Sequence, residues 1–382
     1  MPLRRLIVVL ALALLALPAV ASAADPTKVR VMTRNIFLGA DLGPGVRATS
    51  FQGIVNAAGV IVNQVDSNRY DIRVKGLAAE IKKKNPDLVG LQEAALWRDG
   101  PCNKAPTLEN VTHVRWDSLK LLMAQLNKDK KLYRVVITKP EFDFAIQANM
   151  DGDESTHGPS CPLGAEINAR LTMRDVIIAR RGRVDTSAST SGTFDTLYQA
   201  KPAGVSIDVT RGWAATTAKI EGTPKFRFVN THFEAFDNQP TGNNTNKGTQ
   251  VKNGRIRQAQ ARELVGPGGP ARHNLKVILV GDLNSDTKTE VKPGDALAYK
   301  AVRAAGFEER ATGTPFACCL DVSDLRVSGG GQTSDFDHNV DHILTDAPSK
   351  VKLLNSSVTG RKPHNGFWNS DHAGLFSTLE LP

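Results

Sequence analysis

Short apolar, β-branched runs recur along the chain, each followed by polar or glycine-containing sequence: Val29 to Met32, Leu88 to Leu91, Val176 to Ala179, Phe226 to Val229, Val277 to Val280 and Val340 to Leu344. Runs of this length bounded by turn residues predict buried strands. Helical periodicity appears between some of them. Ile72 to Lys84 places Val74, Leu77, Ala78 and Ile81 on one face, Trp116 to Leu126 repeats Leu119, Leu122, Met123 and Leu126, and Ile256 to Val265 is a third such segment. Strands gathered in sheets with helices outside them predict a layered α/β architecture. Three stretches show neither period and are expected to be loops: Leu38 to Ser67, the Gly-rich insert Asp151 to Gly164, and the Asn-rich segment Asn238 to Asn253. Long loops in a compact domain are usually functional or disordered, which puts these on the substrate side of the sheets.

The N-terminus obeys another logic. Arg4 and Arg5, the apolar run Leu6 to Val20 and the small residues Ala21-Ser22-Ala23 read as a secretory signal over residues 1–23, cleaved after Ala23. The run is short for a membrane span, and no later segment approaches the ~20 apolar residues a span requires. A secreted protein without stable membrane insertion is expected. No linker, charge block or repeat divides the remainder, so residues 24–382 read as a single domain, expected as a monomer.

Composition adds little chemistry. The formal charge of +9 includes the two signal arginines and makes an anionic partner plausible, without choosing between nucleic acid, a lipid headgroup and a small phosphate ester. Four cysteines in an exported chain suggest disulfides. Cys102 and Cys161 both lie in Gly/Pro-rich segments and suit a staple between loops, whereas adjacent Cys318 and Cys319 are unusual. A zinc site is the other reading of these cysteines, but no C-x-x-C spacing supports it.

The informative pattern lies at the ends of the strands. Asn35 comes after VRVMTR, Glu93 after DLVGLQ, His232 after FRFVNT, and Asp282 and Asn284 after VILVG. Asp341 and His342 sit in NVDHIL, and Asp371 and His372 in NSDHAG. Active sites form where strand ends converge, because a rigid sheet then holds the groups presented there. Mg²⁺ and Mn²⁺ take oxygen ligands and keep several waters, so one or two protein ligands suffice beside a substrate phosphate. Glu93 suits a direct ligand, and the amide oxygen of Asn35 can complete the metal site or hold a phosphoryl oxygen. Asp282 can orient and deprotonate water, Asn284 can donate its amide to a phosphoryl oxygen, and a histidine can donate a hydrogen bond or a proton. Asp341 is a plausible orienting partner for His372.

Singly these motifs are weak; as an ordered set they are specific. TRNIFLGAD, GLQEA, RDVIIAR, VNTHFEAFD, VGDLNSD, VDHIL and SDHAG, in that order, resemble the endonuclease/exonuclease/phosphatase superfamily, which includes pancreatic-type deoxyribonucleases and bacterial sphingomyelinases. The resemblance runs from about Val29 to Leu379. It implies a four-layer α/β sandwich, two packed β-sheets flanked by helices, with the site between the sheets at one end. It assigns Asn35, Glu93 and Asp371 to a Mg²⁺ or Mn²⁺ site and His232, Asp282, Asn284, Asp341 and His372 to catalysis, leaving open whether Asp282 or a histidine is the base. One departure is Asp175 in RDVIIAR, where the family often carries Asn or a small residue; Asp175 either supports His232 or caps a strand.

The phosphoester itself is less legible. Arg170, Arg174, Arg180, Arg181 and Arg183 flank the central strand, and Arg255, Arg257 and Arg262 lie on a helix, so a nuclease is favoured if these reach successive phosphates. Base-stacking aromatics are scarce at 6% of the chain. A sphingomyelinase or phospholipase C would need an exposed apolar element, for which Phe316 to Leu320 and Phe367-Trp368 are the candidates. A secreted binding module that has lost its chemistry is disfavoured, because the set of acid/base and ligand residues is whole.

Overall fold

The structure, a computed structural model, describes residues 28–155, 161–236, 254–287, 296–320, 323–346 and 350–382. The proposed signal segment and Asn238 to Asn253 lie outside these residues, as do residues 156–160 of the Gly-rich insert.

The strands are β1 (Lys28–Asn35), β2 (Leu88–Gln92), β3 (Leu96–Pro101), β4 (His113–Asp117), β5 (Tyr133–Ala148), β6 (Ile167–Arg180), β7 (Val184–Thr193), β8 (Tyr198–Ala200), β9 (Ile207–Val209), β10 (Gly212–Ile220), β11 (Phe226–His232), β12 (Lys276–Asp282), β13 (Phe307–Glu309), β14 (Asp341–Asp346), β15 (Lys352–Thr359) and β16 (Gly374–Glu380). The helices are α1 (Gly43–Val46), α2 (Phe51–Ser67), α3 (Tyr70–Lys84), α4 (Ser118–Leu126), α5 (Arg255–Val265) and α6 (Leu297–Ala304). Among the described residues one sheet has eight strands, β15-β16-β1-β2-β6-β3-β4 with β5 also on β6, and a second has six, β13-β14-β12-β11-β10-β7. The parallel pairs β1/β2 and β11/β12 flank helical crossovers, as parallel neighbours require.

Adjacent residues of each central strand serve opposite layers, because side chains alternate across a strand. Val31, Leu88, Ile177, Phe228, Ile278, Ile343 and Leu375 fill the core between the sheets. Their neighbours Met32, Val89, Ile178 and Phe376 meet α3 and α4 on one outer side. Val229, Leu279 and Leu344 meet α5 and α6 on the other. Both faces of these strands are therefore buried, which is why they read as continuous apolar runs. The result is a mixed α/β sandwich of two sheets flanked by helices, as expected.

One buried polar group ties the sheets together. Asn230 of β11 donates to the carbonyls of Leu91 (3.0 Å) and Val176 (3.2 Å), and Gln92 Nε2 donates to its Oδ1 at 2.6 Å. Gly90 makes room for it, since a Cβ there would lie 2.4 Å from Asn230 Oδ1.

The expected loop from Leu38 to Ser67 is mostly helix. Ser50 caps α2 by accepting from Gly53 N, and Ile54, Val55, Ala57, Ala58, Ile61, Val62 and Val65 form its buried face. Gly53 and Gly59 and the β-branched residues lower helix propensity and mask the pattern, and packing overrides propensity. Gly59 is needed for close approach to β5: a Cβ there would fall 1.5 Å from Asn149 O. In the segment expected to be helical from Trp116, Trp116 and Asp117 belong to β4 instead. Helix α4 begins at Ser118, capped by Asp117 accepting from Lys120 N at 3.1 Å.

Candidate functional site

The two sheets present polar groups at the same end of the sandwich. From the first come Asn35 at the end of β1, Glu93 just after β2, Asp175 within β6, and Asp371 and His372 just before β16. From the second come His232 and Asp282, which end β11 and β12 as direct partners in register, and Asp341, which opens β14 opposite Asp282. Glu93 and Asn284 adopt left-handed backbone, φ +58° and +46°. Such conformations cost of order 1–3 kcal/mol outside glycine and are held where the surroundings over-determine them.

Asn35 links the halves. Its Nδ2 donates to Glu93 Oε1 and to Asp282 Oδ2, both at 3.1 Å, while its Oδ1 accepts from Phe37 N at 3.0 Å. The NH₂ thus faces the two carboxylates and Asn35 bridges Glu93 and Asp282. Glu93 Oε2 accepts from Leu38 N at 2.8 Å.

Asp282 is the centre. His232 Nε2 lies 3.6 Å from its Oδ2 and His372 Nε2 3.7 Å. The far nitrogens differ: His372 Nδ1 faces Asp341 Oδ2 at 2.7 Å, whereas His232 Nδ1 accepts from Arg211 Nη1 at 3.2 Å. The carboxylates of Asp341, Asp371 and Asp282 outweigh burial at His372 and hold its pKa well above the ordinary value. Burial, Arg211 and His372 hold His232 well below it, so that ring is neutral. Burial pushes Glu93 up to about 7, with Asp371 adding to the effect, and pushes Asp282 up to about 6. Asp371 is likewise raised by burial, and accepts from Ser370 Oγ at 3.2 Å.

The donor chemistry fits a hard divalent cation. Glu93, Asp371 and Asp282 are crowded acids whose charged forms burial disfavours, the situation a bound cation reverses. Asp282, Asp341 and His372 bring ligand atoms within 4.8 Å of one another, and Asp341 Oδ1 there has no hydrogen-bond partner. The backbone N of Asn284 donates to Asp282 Oδ1 at 2.8 Å, and its side-chain Nδ2 donates to Phe233 O at 3.0 Å, leaving one amide hydrogen uncommitted. His342, next to Asp341, points to the outer layer, between Glu309 Oε2 (2.7 Å) and Ser285 O (2.9 Å).

Solved structures share this fold over nearly the whole chain. An endonuclease/exonuclease/phosphatase family protein from Bacteroides thetaiotaomicron is 15% identical, with a TM-score of 0.53 over 94% of this chain and 99% of its own. A mannosyl-6-phosphatase from the same bacterium is 13% identical, with a TM-score of 0.51 over 92% and 99%. An endonuclease/exonuclease/phosphatase from Beutenbergia cavernae is 18% identical, with a TM-score of 0.50 over 93% and 72%. The chain has the endonuclease/exonuclease/phosphatase fold. No protein-family model and no curated protein matches it by sequence.

Several residues that shape the site within this fold escaped sequence reasoning. Arg34, fully buried, donates to the carbonyls of Asn35 (2.9 Å) and His372 (2.6 Å) and pairs with Glu80 at 3.1 Å. Arg73 donates to Asn369 O at 2.8 Å and to Asn68 O at 2.8 Å, and Glu80 accepts from Asn369 Nδ2. The signal was present, since Arg73 and Glu80 interrupt the apolar face of α3 one residue away from Val74 and Ile81. Arg211 pairs with Glu234 at 3.3 Å as well as with His232. Asp175 lies within β6 and does not cap it; its Oδ1 stands 3.9 Å from His232 Nδ1, a charge contact without a hydrogen bond, and neither oxygen has a hydrogen-bond partner. Burial pushes Asp175 up to about 8.

Proposed function

We propose that the protein is a divalent-metal-dependent hydrolase of phosphodiesters. The observation that carries this reading is the convergence of Glu93, Asp371, Asp341, Asp282, His232 and His372, drawn from both sheets, around the buried Oδ2 of Asp282. Glu93 and Asp371, with Asp282 beside them, would hold Mg²⁺ or Mn²⁺, which supplies charge to offset that developing on a phosphoryl group. The residues divide the remaining work. Asp341 fixes the tautomer and orientation of His372, and that imidazolium donates to a phosphoryl oxygen or to the leaving group. Asp282, flanked by neutral His232, orients and deprotonates the attacking water. The free amide hydrogen of Asn284 donates to a phosphoryl oxygen.

Among substrates, the nuclease reading rests on positive charge, and part of that charge is already paired. Arg170 lies 2.7 Å from Asp143, Arg174 2.7 Å from Asp117 and Arg183 2.7 Å from Asp87. Arg257 donates to Asn284 O at 2.5 Å. A second reading, a lipid phosphodiesterase, draws on a different observation. An apolar cavity of about 140 Å³ lies beside the site, lined by Ile61, Trp97, Phe142, Leu171 and Met173 and bordered by Arg211. A cavity of that size holds an aromatic ring or a short stretch of hydrocarbon. The two short apolar elements that could have faced a membrane give no support: Trp368, Ala317, Cys318 and Leu320 are buried, and Phe316 alone is exposed. Among the described residues no helix is long and apolar enough to cross a membrane.

The test is hydrolysis by the purified protein in Mg²⁺ of plasmid DNA, RNA, sphingomyelin vesicles, phosphatidylcholine and bis-p-nitrophenyl phosphate. Cleavage of at least one phosphodiester, abolished by EDTA and restored by Mg²⁺ or Mn²⁺, is expected. Undiminished hydrolysis in excess EDTA would remove the metal from the proposal, and nucleic acid cleaved without lipid, or the reverse, selects between the readings.

A further inference from the structure

A softer set of donors sits against the same histidine. The segment carrying Cys318 and Cys319 is fixed on two sides. Cys318 exchanges backbone hydrogen bonds with His338 (2.9 and 3.1 Å), while Leu320 N donates to Asp371 O and Ala373 N to Ala317 O. Both sulfurs are thereby brought to His372 Nε2, Cys318 Sγ at 3.8 Å and Cys319 Sγ at 3.7 Å. Cys319 Sγ is also 3.8 Å from His338 Nε2. The donor atoms of Cys318, Cys319 and His338 lie within 4.8 Å of one another.

The two imidazoles are held alike. His372 Nδ1 faces Asp341 at 2.7 Å and His338 Nδ1 faces Asp337 at 2.5 Å, so each ring is oriented with Nε2 toward sulfur. A carboxylate behind a ligating imidazole fixes its tautomer and raises its basicity. The cysteines form a disulfide between neighbours, unlike Cys102–Cys161, which closes 59 residues. A bridge between neighbours closes almost no chain and contributes little by restricting the unfolded state.

We propose that the reduced pair, Cys318 and Cys319, with His338 Nε2 and His372 Nε2, binds a thiophilic divalent cation of the zinc class, and that this ion withdraws His372 from the phosphoester site. The inhibitory half rests on the function proposed above; the binding half does not. Two thiolates and two neutral imidazoles are the donor number and type of tetrahedral zinc, whereas Mg²⁺ prefers the neighbouring carboxylates. Loading begins with reduction. An external phosphine gives two electrons to the S–S bond and takes an oxygen atom from water, whose two protons end on the two thiols. Metal binding then releases both thiol protons, and the Nε2 proton of the His372 imidazolium, to solvent.

The experiment uses the full protein reduced with a water-soluble phosphine, its free thiols counted by alkylation and mass spectrometry, and titrated with Cd²⁺. Thiolate-to-cadmium ultraviolet absorption should saturate at one ion per chain, persist in excess Mg²⁺, and vanish in the Cys318→Ser/Cys319→Ser variant. His338→Ala should weaken cadmium binding by at least roughly tenfold. Should the double variant fail to fold, Cys319→Ser alone, whose melting curve is checked first, serves for the same comparison. No cadmium absorption in wild type with both thiols confirmed free, or absorption unchanged in the serine variant, overturns the site. One equivalent of Zn²⁺ should lower Mg²⁺-supported hydrolysis of bis-p-nitrophenyl phosphate at least tenfold in the reduced wild type and not in the serine variant. Zinc binding with full hydrolysis overturns the withdrawal of His372, and absence of any hydrolysis counts against the proposed function while the cadmium result still decides the site.

Discussion

His232 and His372 approach the same oxygen of Asp282 from opposite sheets, at 3.6 and 3.7 Å, and are both buried, yet their surroundings move their pKa values in opposite directions. Burial acts against the imidazolium in each. What separates them is the group behind the ring, a carboxylate at His372 and a guanidinium at His232. An acidic and a neutral imidazole on either side of one carboxylate give the site a proton donor and a non-competing hydrogen-bond partner without relying on exposure to set either.

The comparison can be broken at several points. Replacing His372 with Ala should lower kcat on bis-p-nitrophenyl phosphate by roughly 10²–10⁴, with the melting temperature nearly unchanged; rates close to wild type would put the acid elsewhere. Arg211→Leu leaves buried Glu234 without its cation and should cost about 3–5 kcal/mol in urea unfolding. It should also let His232 titrate at higher pH by NMR, and an unshifted imidazole signal would show that Arg211 does not set the difference. Asp341→Asn keeps the shape but withdraws the charge behind His372. Turnover should fall roughly tenfold to a hundredfold, and the alkaline limb of the pH–rate profile should move to lower pH.

A metal-free protein offers a pH test. Glu93, Asp282 and Asp175 titrate at about 7, 6 and 8 in the folded chain, above their ordinary values of 4.5 and 3.8. The native state therefore binds more protons than the unfolded chain between those limits. The stability linked to the neutral acids is complete below about pH 4 and is lost as pH rises through 6 to 8. His232, held neutral, acts in the other direction only below its ordinary value of 6.5. Melting of the metal-free protein should thus drop from pH 6 to pH 8, and Mg²⁺ should recover part of the drop; a flat profile would mean that water or ions already satisfy these acids. The smallest effect is expected from Asp175→Asn, which replaces a buried acid, held largely neutral and without hydrogen-bond partners, by a neutral group of the same shape and should change stability at pH 7 by no more than about 1 kcal/mol. A large loss of activity there would give Asp175 a chemical role that its contacts do not suggest.

The central strands and α3, α4 and α5 were legible because both faces of each strand and one face of each helix are apolar. The site's polar members were legible for a related reason: each stands at an edge of an apolar run, Asn35, Glu93, His232 and Asp282 where one stops and Asp341 where one begins. Helix α2 was obscured because Gly59 answers to the backbone of Asn149, a contact ninety residues away in sequence that no local rule anticipates. Arg34, Arg73 and Arg211 were missed because their partners are mainly carbonyls or distant acids. Sequence periodicity locates a charged residue on a face without telling whether another part of the chain neutralises it. The arginines around β6 made the opposite error, reading as free positive surface although three are paired with aspartates.

The amide of Asn230 has a consequence for recombination. Half the functional groups ride on one sheet and half on the other, and Asn230 fits only opposite a residue without a side chain at position 90 and a donor at position 92. A chimera that takes β2 from one parent and β11 from another inherits a lock without its key unless Gly90, Gln92 and Asn230 travel together, so the unit of exchange here is a trio of positions rather than a contiguous stretch of chain.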